Sequence, residues 1–189
     1  MPNHAPDHVV ATTRAWLEHA VIGLNLCPFA KPVFAKNLIR FVVSTADDED
    51  GLLRDLHVEL ERLVATPPAD IETTLLIHPH VLTDFFEFND FLDAADALLE
   101  TLDFTGVVQI ASFHPHYQFA GTAPTDVTNA TNRSPYPLLH ILREDSIERA
   151  LASVAAPDAI YRNNLLTLEK LGSDGWNRLT AQYSDPPEP

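Results

Sequence analysis

Residues 73–80, Thr-Thr-Leu-Leu-Ile-His-Pro-His, and residues 107–116, Val-Val-Gln-Ile-Ala-Ser-Phe-His-Pro-His, decide how this chain folds. Each is a short apolar run that reads as a β-strand and closes in the same triplet. A third run, Leu38 to Ser44, is rich in Ile, Val and Phe and reads as another strand. Between the strands lie two amphipathic stretches. In the first, Leu52, Leu53, Leu56, Leu60, Leu63 and Val64 make one apolar stripe between Asp47-Asp48 and Pro67-Pro68. In the second, Phe85, Phe88, Phe91, Leu92, Ala95, Leu98, Leu99 and Leu102 follow Asp84, with Glu87 completing a capping box. Strands alternating with helices predict an α/β fold: a small, mostly parallel sheet of three or four strands flanked by helices.

The chain opens on a further helix, with Asp7 as its expected cap, an apolar face from Val9 to Leu24, and Pro28 as its stop. Residues 1–6 read as a flexible leader, 7–181 as one α/β domain and 182–189 as a disordered tail. Two helices are expected near the end, Asp145 to Val154 with Asp145 as cap, and Asp158 to Leu171 closed by Gly172. Residues 114–143 hold four prolines and no sustained period, so they read as a long ordered loop over the carboxyl edge of the sheet. A short extra strand near Tyr117 to Ala120 is one way to order it.

The formal charge of −15, from 12 Lys and Arg against 27 Asp and Glu, argues against nucleic acid and anionic membrane as partners. No apolar run approaches the roughly 20 residues of a membrane span. The single cysteine, Cys27, rules out an internal disulfide, and the first eleven residues lack signal-peptide character, so a cytoplasmic setting is expected. The isolated glycines match no nucleotide-binding fingerprint, and no nucleotide cofactor is expected.

In open α/β sheets ligands bind beyond the carboxyl ends of the strands, which places both His-Pro-His triplets at one working edge. Imidazoles with a carboxylate can hold Zn²⁺ or Fe²⁺ and leave positions open, and His78, His114, His116 and Asp126 are the expected ligands. The first histidine of each triplet is favoured because a strand fixes its backbone. Arg133 is the expected clamp for a small polar or anionic molecule, Asn132 a donor to it, and His140 a further catalytic or orienting group. Metal-assisted hydrolysis is the leading expectation. A cysteine-based enzyme, with Cys27 attacking and a histidine as base, is the first alternative, although a helix C-terminus beside Cys27 disfavours its thiolate. A non-catalytic protein that grips a ligand or peptide is the second.

Three stretches carry a resemblance: Asn25-Leu26-Cys27-Pro28-Phe29-Ala30; His78-Pro79 followed by Asp84-Phe85 and Asn89-Asp90-Phe91; and the run QIASFHPHYQFAGT (109–122) with TNRSPYPLLHILRED (131–145). Across nearly its whole length the chain resembles a bacterial family known as domain of unknown function 1415. The resemblance implies no activity. It implies that Cys27, His78, His114, Asp126, Asn132 and Arg133 lie in the family's hallmark segments.

Overall fold

The three expected strands form, as β1 (Ile39–Val43), β2 (Thr73–Ile77) and β3 (Val108–Phe113), in a computed structural model that describes residues 4–152 and 158–184. A fourth strand, β4 (Leu138–Arg143), comes from the stretch expected to be loop. The sheet order is β1-β2-β4-β3, with β1 and β2 parallel and β4 antiparallel to both of its neighbours. The expectation of a mostly parallel sheet is therefore corrected: one strand pair is parallel and two are antiparallel. The cause is Leu138 to Ile141, a compact apolar run after Pro137 that inserts between β2 and β3 and runs against them. Because β4 opposes both, β2 and β3 still point the same way. Their carboxyl ends flank the start of β4, where Leu138 pairs with Ile77 on one side and Phe113 on the other.

Alternation along the strands sends side chains to two separate cores. Leu76, Val108, Leu139 and Ile141 pack with Leu52, Leu56, Leu60 and Leu63 of α3 (Glu49–Ala65) and Phe88, Phe91, Ala95 and Leu99 of α4 (Phe85–Thr101), where the helices follow α1 (Pro6–Trp16) and α2 (Ala30–Ala35) in the chain. Leu75, Ile77 and Leu138 face the other way, onto Val9 and Trp16 of α1 and Leu168 and Trp176 of the C-terminal helix. Helices thus cover both faces of the sheet. Asp48 and Asp84 cap α3 and α4, accepting from Gly51 N–H and from Phe86 and Glu87 N–H respectively.

The N-terminal helix differs from expectation at both ends. Ala5 stands at its N-cap with Pro6 at the first position, so Asp7 is a first-turn acid and not the cap. At the other end α1 widens into a π-helical segment, Leu17–Ile22, with i to i−5 bonds from Gly23 to Glu18 and from Leu26 to Val21. Asn25 then takes a left-handed conformation (φ 53°), which asparagine tolerates better than most residues. The chain thereby reaches Cys27 through a turn, not along a helix. Residues 1–3 lie outside the described residues, yet His4, expected in the flexible leader, packs against His80 and Tyr136.

The remaining helices are α5 (Glu144–Ala152) and α6 (Asp158–Ser184), the latter broken at Gly172, whose φ of 67° closes the first half as the glycine pattern implies. Asp145 falls inside α5. Residues 153–157, which include the expected end of that helix, and 185–189 of the expected tail are outside the described residues. The helix continues through Ser184 with Tyr183 buried, so 182–184 belong to the folded body. Residues 117–120 form no strand.

Arg143, at the end of β4, donates from Nη2 to the carbonyls of Leu63, Thr66 and Ile71 at 2.6–3.0 Å. It caps the C-terminal end of α3. Arg143→Ala strands those carbonyls and should lower stability by about 1.5–3 kcal/mol, read from the urea midpoint at constant slope.

Candidate functional site

The two triplets meet at one sheet edge, but the first histidine of each turns into the core. Ile77 and Phe113 face the α1 side, so His78 and His114, one residue on, face α4. Both are fully buried and pack on Phe88, with ring centroids 5.5 and 5.2 Å away. His78 donates from Nδ1 to the carbonyl of Val81 at 3.0 Å. His114 donates from Nε2 to the carbonyl of Leu82 at 3.3 Å, and its Nδ1 accepts the His116 N–H at 3.0 Å. These bonds fix one neutral tautomer for each ring. They also hold the loop after β2, where Leu82 adopts φ 56°, a strained value for a bulky residue.

Burial pushes the pKa of His78 down to about 4, and the same cause dominates for His114, also at about 4. Both are uncharged at neutral pH. Both nitrogens of His114 are in use, His116 is exposed, and Asp126 caps a 3₁₀ turn (Val127–Asn132) by accepting from the N–H and hydroxyl of Thr128. Among the described residues, no group of three or more His, Cys, Asp or Glu side chains comes together around a metal position. The expected set His78, His114, His116 and Asp126 is dispersed, because His78, His114 and Asp126 serve the loops that carry them or their neighbours and His116 lies exposed.

Arg133 likewise turns inward. Its Nε donates to the Tyr117 carbonyl at 3.2 Å and its Nη2 to the Pro124 carbonyl at 2.6 Å, so the expected anion clamp ties the long loop together. His140 sits in mid-strand on β4, where its Nε2 lies 2.8 Å from Thr73 Oγ1. The Thr73 hydroxyl spends its proton on the Ile141 carbonyl, so His140 is the donor in that pair, and burial pushes its pKa down to about 4.

Two of the expected site residues, Cys27 and Asn132, line a cavity of about 300 Å³ on the α1 side of the sheet. Leu26, Phe113 and Phe119 supply apolar walls, and Tyr161 and Asn164 reach in from α6. Asn132 donates from Nδ2 to the Ser112 carbonyl, and Asn164 donates to the Leu26 carbonyl. Thr131, also in the wall, donates its hydroxyl to Thr128. Each polar group has thus spent a donor on backbone and keeps an acceptor. Burial raises the Cys27 thiol pKa, opposed by hydrogen bonds from the backbone of Phe29 and Ala30. The expected proximity to a helix C-terminus is corrected, since the π segment ends at Ile22 and Cys27 stands just ahead of α2.

A wider cleft of about 560 Å³ lies at the carboxyl edge, where Asp47, Asp48, Glu49 and Asp50 face His80 and Glu87. Neither Asn164 nor the acidic face of this cleft was anticipated. Asparagine within a helical run was the available signal for the first, since it is a poor helix former.

A family model described as "Protein of unknown function (DUF1415)" matches residues 8–178. The chain belongs to this family. The matched span of DUF1415 includes every residue of the cavity and of the histidine-clamped loop. No curated protein and no solved structure matches the chain. Among the described residues no helix is long and apolar enough to cross a membrane.

Proposed function

We propose that this DUF1415 chain binds a small organic molecule with an apolar body and N–H or O–H donors, in the cavity beside Cys27. The observation that supports it is the convergence of a thiol, two carboxamides and a hydroxyl on one cavity whose walls are otherwise largely apolar and aromatic. The carboxamides and Thr131 offer acceptors, and the net charge of −15 favours a neutral or cationic ligand over the anionic one expected from Arg133. Hydrolysis at a metal held by the triplets and Asp126 has no converging donor set to support it among the described residues.

A second reading, thiol chemistry on that ligand, is favoured by the backbone N–H groups of Phe29 and Ala30 directed at Cys27, which stabilise a thiolate as it forms. His78 and His114 face the opposite side of the sheet, so neither is the base for it.

Covalent probing tests both. Chloroacetamides bearing an aryl amide should modify Cys27 at least roughly tenfold faster, relative to glutathione, than chloroacetamide itself, about 1.4 kcal/mol of binding. Asn132→Ala together with Asn164→Ala should remove that preference. Intact-mass kinetics showing no preference in the parent chain sink the binding proposal. Because the thiol is raised, the alkylation rate should keep climbing beyond the pH at which a free cysteine levels off, roughly 8.5. A plateau at or below that pH overturns the buried-thiol assignment.

A further inference from the structure

Outside the cavity, a pair of imidazoles at the carboxyl edge is left without a role. His4 Nδ1 and His80 Nδ1 lie 3.4 Å apart, with ring centroids 5.0 Å apart and planes inclined by 60°. As a hydrogen bond this is poor, since N–H donors prefer about 2.9–3.0 Å. As the edge of a coordination tetrahedron it fits. Two nitrogens each about 2.0–2.1 Å from Zn²⁺ at the tetrahedral angle are about 3.3–3.4 Å apart. Octahedral geometry would bring them to about 3.0 Å.

We propose that His4 and His80 form a two-histidine site for a zinc-type divalent cation, with water completing the tetrahedron. The two ligands come from separate parts of the chain, the residue before the N-cap of α1 and the loop after β2, so the cation would cross-link them. Tyr136 meets His4 edge-on at 5.9 Å and fixes one ring. The other ring stands on the loop that His78 and His114 clamp through Val81 and Leu82. Five carboxylates, Asp47, Asp48, Glu49, Asp50 and Glu87, share the cleft wall with His80 and draw cations toward it. Imidazole nitrogen selects zinc-like ions over Mg²⁺, which demands oxygen. This set shares no member with His78, His114, His116 and Asp126. It is also independent of the cavity beside Cys27.

Calorimetric titration of the full chain, free of any affinity tag, with ZnCl₂ and separately with MgCl₂ tests the site. One Zn²⁺ per chain is expected, with no matching heat from Mg²⁺. His4→Ala and His80→Ala should each weaken Zn²⁺ binding roughly tenfold or more, while His116→Ala leaves it unchanged. All three changes are at exposed or partly exposed positions, and unchanged thermal midpoints will show that the variants fold. Co²⁺ in place of Zn²⁺ should give the intense visible bands of a tetrahedral site. The proposal is overturned if the parent chain takes up no Zn²⁺, if either single variant binds like the parent, if Mg²⁺ binds equally well, or if the Co²⁺ spectrum is octahedral.

Discussion

Between pH 6.5 and pH 5 the folded chain should lose about 4–5 kcal/mol of stability, a large part of the 5–15 kcal/mol typical of a domain. The loss comes from His78, His114 and His140, each held near pKa 4 chiefly by burial and each free to protonate near 6.5 once unfolded. In that window the unfolded chain binds more protons than the folded one, so stability falls as pH falls. Linkage gives about 2 kcal/mol at pH 5 for each of the fully buried His78 and His114, and less for the partly exposed His140. The chain's own negative charge acts in the opposite sense, since its repulsion relaxes toward the isoelectric point near 4.7. Urea midpoints at pH 7 and pH 5 measure the difference. In the variant His78→Asn the amide stands in for Nδ1–H toward Val81, so the slope of stability against pH should fall by up to about 1.4 kcal/mol per unit. A flat profile in the parent chain would show that these imidazoles are not buried and neutral.

Phe88→Ala should cost about 3–5 kcal/mol, the range for deleting a buried phenylalanine. Phe88 has no exposed surface and fills the space between α4 and the two clamp histidines, stacking on His114 and packing on His78. Its loss opens a cavity and releases both rings from the surface that orients them. The neighbouring Phe86 is 71% exposed, and Phe86→Ala should change stability by no more than about 0.5 kcal/mol. Urea denaturation of the two variants checks the pair. Equal costs would contradict the way α4 faces the sheet.

Most of the elements were legible because their signals are local. Asp48 and Asp84 cap the helices they were expected to begin, and the leucine and phenylalanine stripes of α3 and α4 face the sheet. β4 was missed although Leu138 to Ile141 is an apolar run behind a proline, because the prolines and asparagines upstream gave the whole stretch the look of loop. That omission alone made the sheet seem mostly parallel. The site was harder to read, since a histidine's role depends on partners supplied by tertiary structure. The strand did fix His78 and His114 in space, but the same alternation pointed them into the core, where the carbonyls of Val81 and Leu82 accept their N–H groups. Arg133 and Asp126 carry the side chains of a ligand site, yet the loop's own carbonyls and N–H groups use them. Asn164 lies 138 positions from the Leu26 carbonyl it meets, a distance no local pattern spans.

The central position of β4 also sets the order in which the sheet can be completed. β3 has β4 as its neighbour in the sheet, and β2 meets β3 only across it. A chain emerging from the ribosome can pair β1 with β2 early, but β3 must wait, its edge unsatisfied, until residues 138–143 have been made. Closure joins partners 61 to 69 positions apart, from Ile77 with Leu138 to Thr73 with Leu142, and such long-range pairing is slow. During that wait the run Val108 to Phe113 is the segment most open to pairing with another nascent chain, so aggregation during synthesis would start there.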